Sequence, residues 1–263
     1  MSDLTVSLIQ ADLHWEDIPA NLAMFGQKID SIKTRTEVIV LPEMFSTGFS
    51  MQSSRLAETM DGSAVQWMKQ KAREKNVIIT GSLIIEENGA YFNRLIWMLP
   101  NGTYGTYDKR HLFAFADEHN HYRAGDKRLI AQVKGWKICL NICYDLRFPV
   151  WARNTIQEDG NPAYDVLVNV ANWPERRSTP WRALLQARAI ENQCYAIGVN
   201  RVGNDGNNIY HSGDTSLIDP VGEIIYHKAH DEDVFTYTLS RSHLDDLRAK
   251  FPFMKDADRF MIL

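Results

Sequence analysis

Apolar residues recur along this chain with two spacings, and the spacings divide it into strands and helices. Leu4 to Gln10 alternates as a strand does, whereas Ile18 to Ile32 carries Leu22, Phe25, Ile29 and Ile32 at the steps of an amphipathic helix. Val38-Ile39-Val40-Leu41 is apolar throughout, as in a strand covered on both faces, and Pro42-Glu43 ends it by delivering a glutamate. Residues 61–75 predict a helix with Val65, Met68 and Ala72 on one face, followed by strands at 77–85, 91–99 and 103–109. Asn88-Gly89 and Asn101-Gly102 separate these strands with turn dipeptides that favour antiparallel pairing.

Residues 113–126 are polar, bear histidines and read as a loop; loops of this length in compact chains tend to be functional. Ile138 to Cys143 is another apolar strand, and Tyr144-Asp145-Leu146-Arg147-Phe148-Pro149 after it reads as a turn that opens a helix. Strands follow at 165–170, 194–200, 212–218, 222–227 and 234–239, with helices at 181–192 and 240–249, the latter capped by Ser240. No repeat, low-complexity tract or linker interrupts the series. One mixed-sheet α/β domain over residues 1–263 is the expectation.

Composition narrows the function. The 263 residues are 44% hydrophobic and 24% charged, ordinary for a soluble globular chain. A net charge of −4 supplies no broad positive field for nucleic acid or an anionic membrane, so a small-molecule partner is expected. Three cysteines, at 139, 143 and 194, are too few for a disulfide scaffold. The first ten residues read as a strand and not as a signal peptide, and no apolar run approaches 18 residues. A reducing, cytoplasmic setting is therefore expected.

Three strand ends each deliver one reactive group: Glu43, Lys109 and Cys143. Sites of open α/β sheets gather at strand termini, so the three can converge. Ahead of a helix N-terminus, the Cys143 thiolate would be stabilised by free N–H groups and the helix dipole. Each residue also has an ordinary reading: a small buried hydrophobe for Cys143, a surface carboxylate for Glu43, one solvated cation for Lys109. Cys139 in mid-strand and Cys194 after a helix read as core. His111, His119, His121 and Asp117 suit zinc by residue type, but their spacing fits no zinc motif and a solvated loop is the expectation; no metal is assigned. Met44, Phe45, Phe115 and Trp173 flank these segments and are candidate pocket walls or core. Arg147 either holds the turn by pairing with Asp145 or grips a substrate carboxylate bidentately.

Leu-Pro-Glu at 41–43, Tyr-Asp-Lys-Arg-His-Leu-Phe at 107–113 and Cys-Tyr-Asp-Leu-Arg-Phe-Pro at 143–149 resemble, in order and spacing, the three signature segments of the nitrilase superfamily of carbon–nitrogen hydrolases. The resemblance continues through Ala171-Asn172-Trp173-Pro174, residues 187–192 and Asn200-Arg201-Val202-Gly203, and so spans essentially the whole chain. It implies a four-layer α-β-β-α sandwich that usually pairs as a dimer, and a Glu-Lys-Cys triad on Glu43, Lys109 and Cys143. Cys143 would attack an amide carbonyl while Glu43 takes the thiol proton and later gives it to the leaving amine. Lys109 and the backbone N–H of Tyr144 would stabilise the oxyanion, an effect of about 3–4 kcal/mol per donor. No cofactor is needed for this chemistry.

Many relatives carry a second glutamate beside the lysine. Glu118 is the candidate here, with Asp117 as the alternative. Much of the superfamily shares an arginine at the place of Arg147, which favours its turn-holding role. Residues 43–49, 108–113, 116–125 and 143–151 most resemble the bacterial ω-amidases. These hydrolyse the terminal amide of 2-oxoglutaramate or 2-oxosuccinamate to the 2-oxo dicarboxylate and ammonia. Another amidase, an N-carbamoyl hydrolase, a nitrilase or a catalytically silent binding protein on the same fold are the alternatives.

Overall fold

The computed structural model describes residues 2–258 and 260–262. Its strands are β1 (Leu4–Gln10), β2 (Val38–Val40), β3 (Ile78–Glu87), β4 (Ala90–Met98), β5 (Tyr104–Asp108), β6 (Ile130–Val133), β7 (Trp136–Ile142), β8 (Val166–Ala171), β9 (Tyr195–Asn200), β10 (Val202–Asn204), β11 (Tyr210–Ile218), β12 (Ile224–Ala229) and β13 (Asp233–Leu239). The longer helices are α1 (Ile18–Ser31), α2 (Ser63–Lys75), α3 (Ser178–Asn192) and α4 (Arg241–Lys250). Asp17 caps α1 by accepting from the Ala20 N–H, and Ser240 caps α4 by accepting from the His243 N–H.

Side-chain parity along the strands builds the layers. Val6 and Leu8 of β1, Val38 and Val40 of β2, and Leu95 and Trp97 of β4 meet Ile138, Leu140, Val166, Val168, Ile197 and Val199 in a core between two sheets. Their sequence neighbours Ile9, Ile39 and Ile96 point the other way, into a second core with Phe25 and Ile29 of α1 and Val65, Met68 and Ala72 of α2. On the far side, Ala171 and Ala196 pack under Trp181, Leu185 and Ala189 of α3. The result is helices, sheet, sheet, helix, the four-layer α-β-β-α sandwich that the resemblance implied.

One sheet runs β13-β1-β2-β3-β4-β5 and the other β10-β11-β9-β8-β7-β6, with β12 beside β11. β1, β2 and β3 are mutually parallel, and two antiparallel steps through β4 bring β5 back to the same direction. In the other sheet β7, β8 and β9 are parallel. The C-terminal ends of β2 and β5 therefore share one end of their sheet, and those of β7 and β8 share one end of theirs.

Four details differ from the sequence expectation. β2 stops at Val40 because Pro42 has no N–H to extend the ladder. The helix expected after Cys143 is a five-residue 3₁₀ turn, Cys143–Arg147, and then one helical turn, Pro149–Ala152. Edge strand β6 and the three-residue β10 were not expected; both are too short to show a period. The 113–126 loop holds one helical turn at Glu118–His121.

Gly198, mid-way along β9, marks where α3 rests on its sheet. A Cβ there would lie 2.4 Å from Leu185 Cδ1 and 2.7 Å from the Trp181 ring. Gly198→Ala is expected to lower stability by about 1–3 kcal/mol through overpacking, read as an earlier denaturation midpoint with an unchanged m-value. No helix among the described residues is long and apolar enough to cross a membrane.

Candidate active site

The backbone turns sharply at or beside Glu43, Glu118 and Cys143. Met44, directly after Glu43, has φ 43°; Asp117, directly before Glu118, has φ 64°; Cys143 itself has φ 44°. Non-glycine residues in this left-handed region store about 1–3 kcal/mol each and gather at functional sites. Cys143 is the first residue of the 3₁₀ turn, directly after the last residue of β7, which presents the thiol at the sheet's end.

Glu43, Lys109 and Glu118 form one cluster, each with 0% relative exposure. Lys109 Nζ donates to Glu43 Oε1 at 3.0 Å and to both oxygens of Glu118 at 3.0 and 2.9 Å. Asn93 Nδ2 donates to Glu43 Oε1 at 2.8 Å, and the Asn172 N–H donates to Glu43 Oε2 at 2.8 Å. The Phe113 N–H holds Glu118 Oε2 at 2.6 Å. It is thus Glu118 that reaches the lysine, while Asp117 is exposed and accepts from Asn120.

Burial would lower the lysine's proton affinity, but Glu118 and Glu43 outweigh it, and Lys109 is held above its ordinary value. Burial, offset in part by Lys109, pushes Glu118 up, with Glu43 adding to the rise. Burial first and the Glu43 carboxylate second push the Cys143 thiol well above its ordinary value. The expectation of a dipole-stabilised thiolate is therefore corrected. Five residues of 3₁₀ turn carry little dipole, and the nearest carboxylate opposes ionisation. The cluster can instead draw the proton off as the sulfur attacks.

Asp145 locks the cysteine turn onto the lysine strand. Its Oδ2 accepts from Tyr107 Oη at 2.7 Å and the Ile142 N–H at 3.0 Å, and its Oδ1 from the His111 N–H at 2.9 Å, with His111 Nδ1 also 2.7 Å away. The His111 ring stacks on Phe148 with centroids 3.8 Å apart. His111 is thus held in this bracket. His119 is exposed, and among the described residues no group of three or more His, Cys, Asp or Glu side chains is placed to hold a metal ion.

A cavity of about 220 Å³ opens over Cys143, Tyr144 and Lys109, walled by Phe49, Phe113, Trp173 and His211 among others. Phe115 stands at its edge, 81% exposed. Phe45 is corrected from pocket wall to core: it is fully buried, with its ring edge-on to Phe25 at 5.5 Å and beside Trp67. Met44 likewise packs under Leu56, Ile84 and Tyr122. Arg147 does not pair with Asp145, whose oxygens are taken; its guanidinium lies 4.9 Å over the Trp173 ring, on the cavity wall. Burial, then Arg201, lowers His211 to about 4, so its imidazole is neutral near pH 7.

Several site residues escaped sequence reasoning. Asn93 lies inside β4 with no local mark. Asn172 follows β8 in Ala-Asn-Trp-Pro, a strand-end position like those of Glu43 and Lys109, and that likeness was the available signal. Arg177 sits in a charged run that reads as surface. Cys139 and Cys194 are buried in a common cluster with Tyr164 and Leu167.

The chain belongs to the carbon-nitrogen hydrolase family, whose model matches residues 5–249. Among its relatives, the omega-amidase YafV of Escherichia coli strain K12 is 46% identical over 263 residues, 100% of both chains. The 2-oxoglutaramate amidase of Bacillus subtilis is 31% identical over 96% of each chain. The solved structure of XC1258 from Xanthomonas campestris, a CN-hydrolase superfamily protein described with an arsenic adduct in its active site, matches with TM-score 0.98 at 42% identity over 100% of both chains. The protein is an enzyme that hydrolyses carbon–nitrogen bonds of amides.

Proposed function

We propose that this enzyme is an ω-amidase that hydrolyses the terminal amide of a 2-oxo dicarboxylic acid monoamide, 2-oxoglutaramate or 2-oxosuccinamate, releasing ammonia. The observation that carries the reading is the Lys109-bridged pair of buried glutamates behind Cys143, in a small cavity walled by arginines, in a chain 46% identical to an omega-amidase.

In this mechanism the thiol proton passes to Glu43 as Cys143 Sγ bonds to the amide carbon. The carbonyl electrons collect on oxygen, where Lys109 Nζ and the Tyr144 N–H receive them. Collapse breaks the carbon–nitrogen bond as Glu43 returns the proton to the leaving ammonia, and a thioester remains. Water then attacks the thioester, Glu43 takes its proton, and the acid leaves as the thiol reforms. Glu118 holds Lys109 and, with it, the geometry of Glu43. Trp173, Phe115 and Arg147 border the substrate.

The same reading makes the chain a single domain acting as a cytoplasmic homodimer. Three free cysteines fit a reducing compartment. Ile190 on α3, Val221 and Ile224 are exposed, and the Ile190 side chain lies against Gly222, so they form one apolar patch on the outer face suited to a second copy.

Ammonia release is to be measured from 2-oxoglutaramate, glutamine, a simple nitrile and an N-carbamoyl amino acid, with Cys143→Ala as control. A preference for the oxo-amide by about 100-fold or more, lost in the variant, is the expected result. Equal turnover of glutamine or the nitrile would overturn the substrate class.

A further inference from the structure

The cavity wall carries more positive charge than the catalytic cluster needs. Lys109 is matched by Glu43 and Glu118, yet Arg147, Arg176 and Arg177 line the same space. Elsewhere the fold pairs its buried arginines with carboxylates: Arg94 with Asp108 and Glu87, Arg188 with Glu191, Arg201 with Asp12, Arg241 with Asp165. Arg147 and Arg177 instead rest on aromatic faces, 4.9 Å from the Trp173 centroid and 5.2 Å from the Phe113 centroid. Neither guanidinium has a carboxylate partner among the described residues. Asp205, the carboxylate on the same wall, accepts from the N–H groups of Asn207 and Ile209 at 2.8 and 2.9 Å and stays with its own turn.

Both arginines are half-buried, and Trp173 fixes the two together. Its ring supports Arg147, and its Nε1–H donates to the Arg177 carbonyl at 2.6 Å. The Arg177 N–H in turn donates to Pro174 O at 2.9 Å, and Trp173 itself is held by Asn200 through both backbone groups. Burial, and after it Arg176, weakens the hold of Arg177 on its proton, with Arg147 adding to the effect. Two cations held on one partly dry cavity wall, neither paired with a carboxylate among the described residues, form a receptor for an anion.

We infer that Arg147 and Arg177 grip the carboxylate that the substrate carries away from its scissile amide, and that Arg177 thereby selects oxo-acid amides over neutral ones. This rests on the ω-amidase reading and names the side of the pocket that enforces it. Held against aromatic faces on the cavity wall, the two guanidinium groups keep charged N–H donors free for a carboxylate. Leaving them unpaired is what penalises a substrate without the carboxylate.

The test compares kcat and KM for 2-oxoglutaramate and butyramide in wild type, Arg177→Met and Arg177→Lys, with inhibition by 2-oxoglutarate alongside. Arg177→Met is expected to lower kcat/KM for 2-oxoglutaramate by about 10- to 100-fold more than for butyramide, mainly through KM. The inhibition constant of 2-oxoglutarate should rise in step. Arg177→Lys should restore part of the preference, since charge returns without the fork. A wild type that favours 2-oxoglutaramate and an Arg177→Met variant that favours it equally, or loses both substrates alike, overturns the carboxylate grip and leaves the proposed function standing. A wild type that cleaves butyramide and ignores 2-oxoglutaramate overturns both.

Discussion

Glu43→Gln is expected to reduce amide turnover by about 10²- to 10⁴-fold while making Cys143 easier to alkylate at neutral pH. The two effects separate because Glu43 acts on the thiol in opposite senses. As a proton acceptor it is needed whenever sulfur attacks a carbonyl, and among the described residues Glu118 shares Lys109 and Asn93 with it but no other carboxylate accepts from the Asn172 N–H. As a fixed negative charge it is, after burial, the largest influence holding the thiol protonated. Removing the charge leaves Lys109 as the dominant neighbour, which favours thiolate. In wild type, a thiol raised above its ordinary value stays largely protonated at neutral pH, and labelling speeds up only as pH climbs toward that value. In the variant the rise should begin at lower pH. The measurement is iodoacetamide labelling followed by mass spectrometry from pH 6 to 9, beside ammonia release. Labelling that falls in proportion to turnover would mean that Glu43 serves as base in both reactions. Some loss of stability, about 1–3 kcal/mol, is expected as well, because the glutamine amide must set an N–H₂ against a donor on one side.

Lys109→Met is expected to abolish turnover and to destabilise the fold by about 3–5 kcal/mol at neutral pH. Methionine fills similar space, so the deficit comes from stranding two buried carboxylates. In wild type Lys109, held above its ordinary value by Glu118 and Glu43 against burial, contributes stability that is fully present at neutral pH and is lost as pH rises through its folded value. In the variant Glu118 loses the neighbour that lowers it most, keeping only the Phe113 N–H against burial and Glu43, which push it higher still. A carboxyl raised on folding stabilises below its unfolded value, about 4.3, and loses that contribution as pH rises through the folded one. The gap between variant and wild type should therefore widen from pH 5 to pH 8. Thermal melts across that range decide it: a gap that is constant, or that grows toward acid, would show that the carboxylates are not what the lysine neutralises.

The reactive residues were legible because the chemistry is delivered locally. Glu43, Lys109 and Cys143 each follow a strand, apolar in the case of Glu43 and Cys143, and a strand end is a property of a few consecutive residues. The same locality made the layers readable, since alternation along Leu4–Gln10 and the apolar run at Val38–Leu41 report which faces are covered. The sequence favoured Glu118 as the second acid and left Asp117 as the alternative. A left-handed φ at Asp117 and the Phe113 N–H decide between them, by swinging Glu118 inward.

The sequence by itself determined most of the elements that form, and that a carboxylate, an ammonium and a thiol would stand at strand ends. Only the tertiary structure decided how those groups behave. Asn172 reaches Glu43 across 129 residues and Asp145 reaches Tyr107 across 38, and such distant partners set orientation and proton affinity. Phe45 went to the core because Phe25 and Trp67 close over it, and Arg147 went to the cavity because Tyr107, His111 and Ile142 had already satisfied Asp145. The physical reason is common to all of these. Strand and helix periods arise from neighbours a few residues apart, whereas burial and charge at a point sum over everything that folding brings near it.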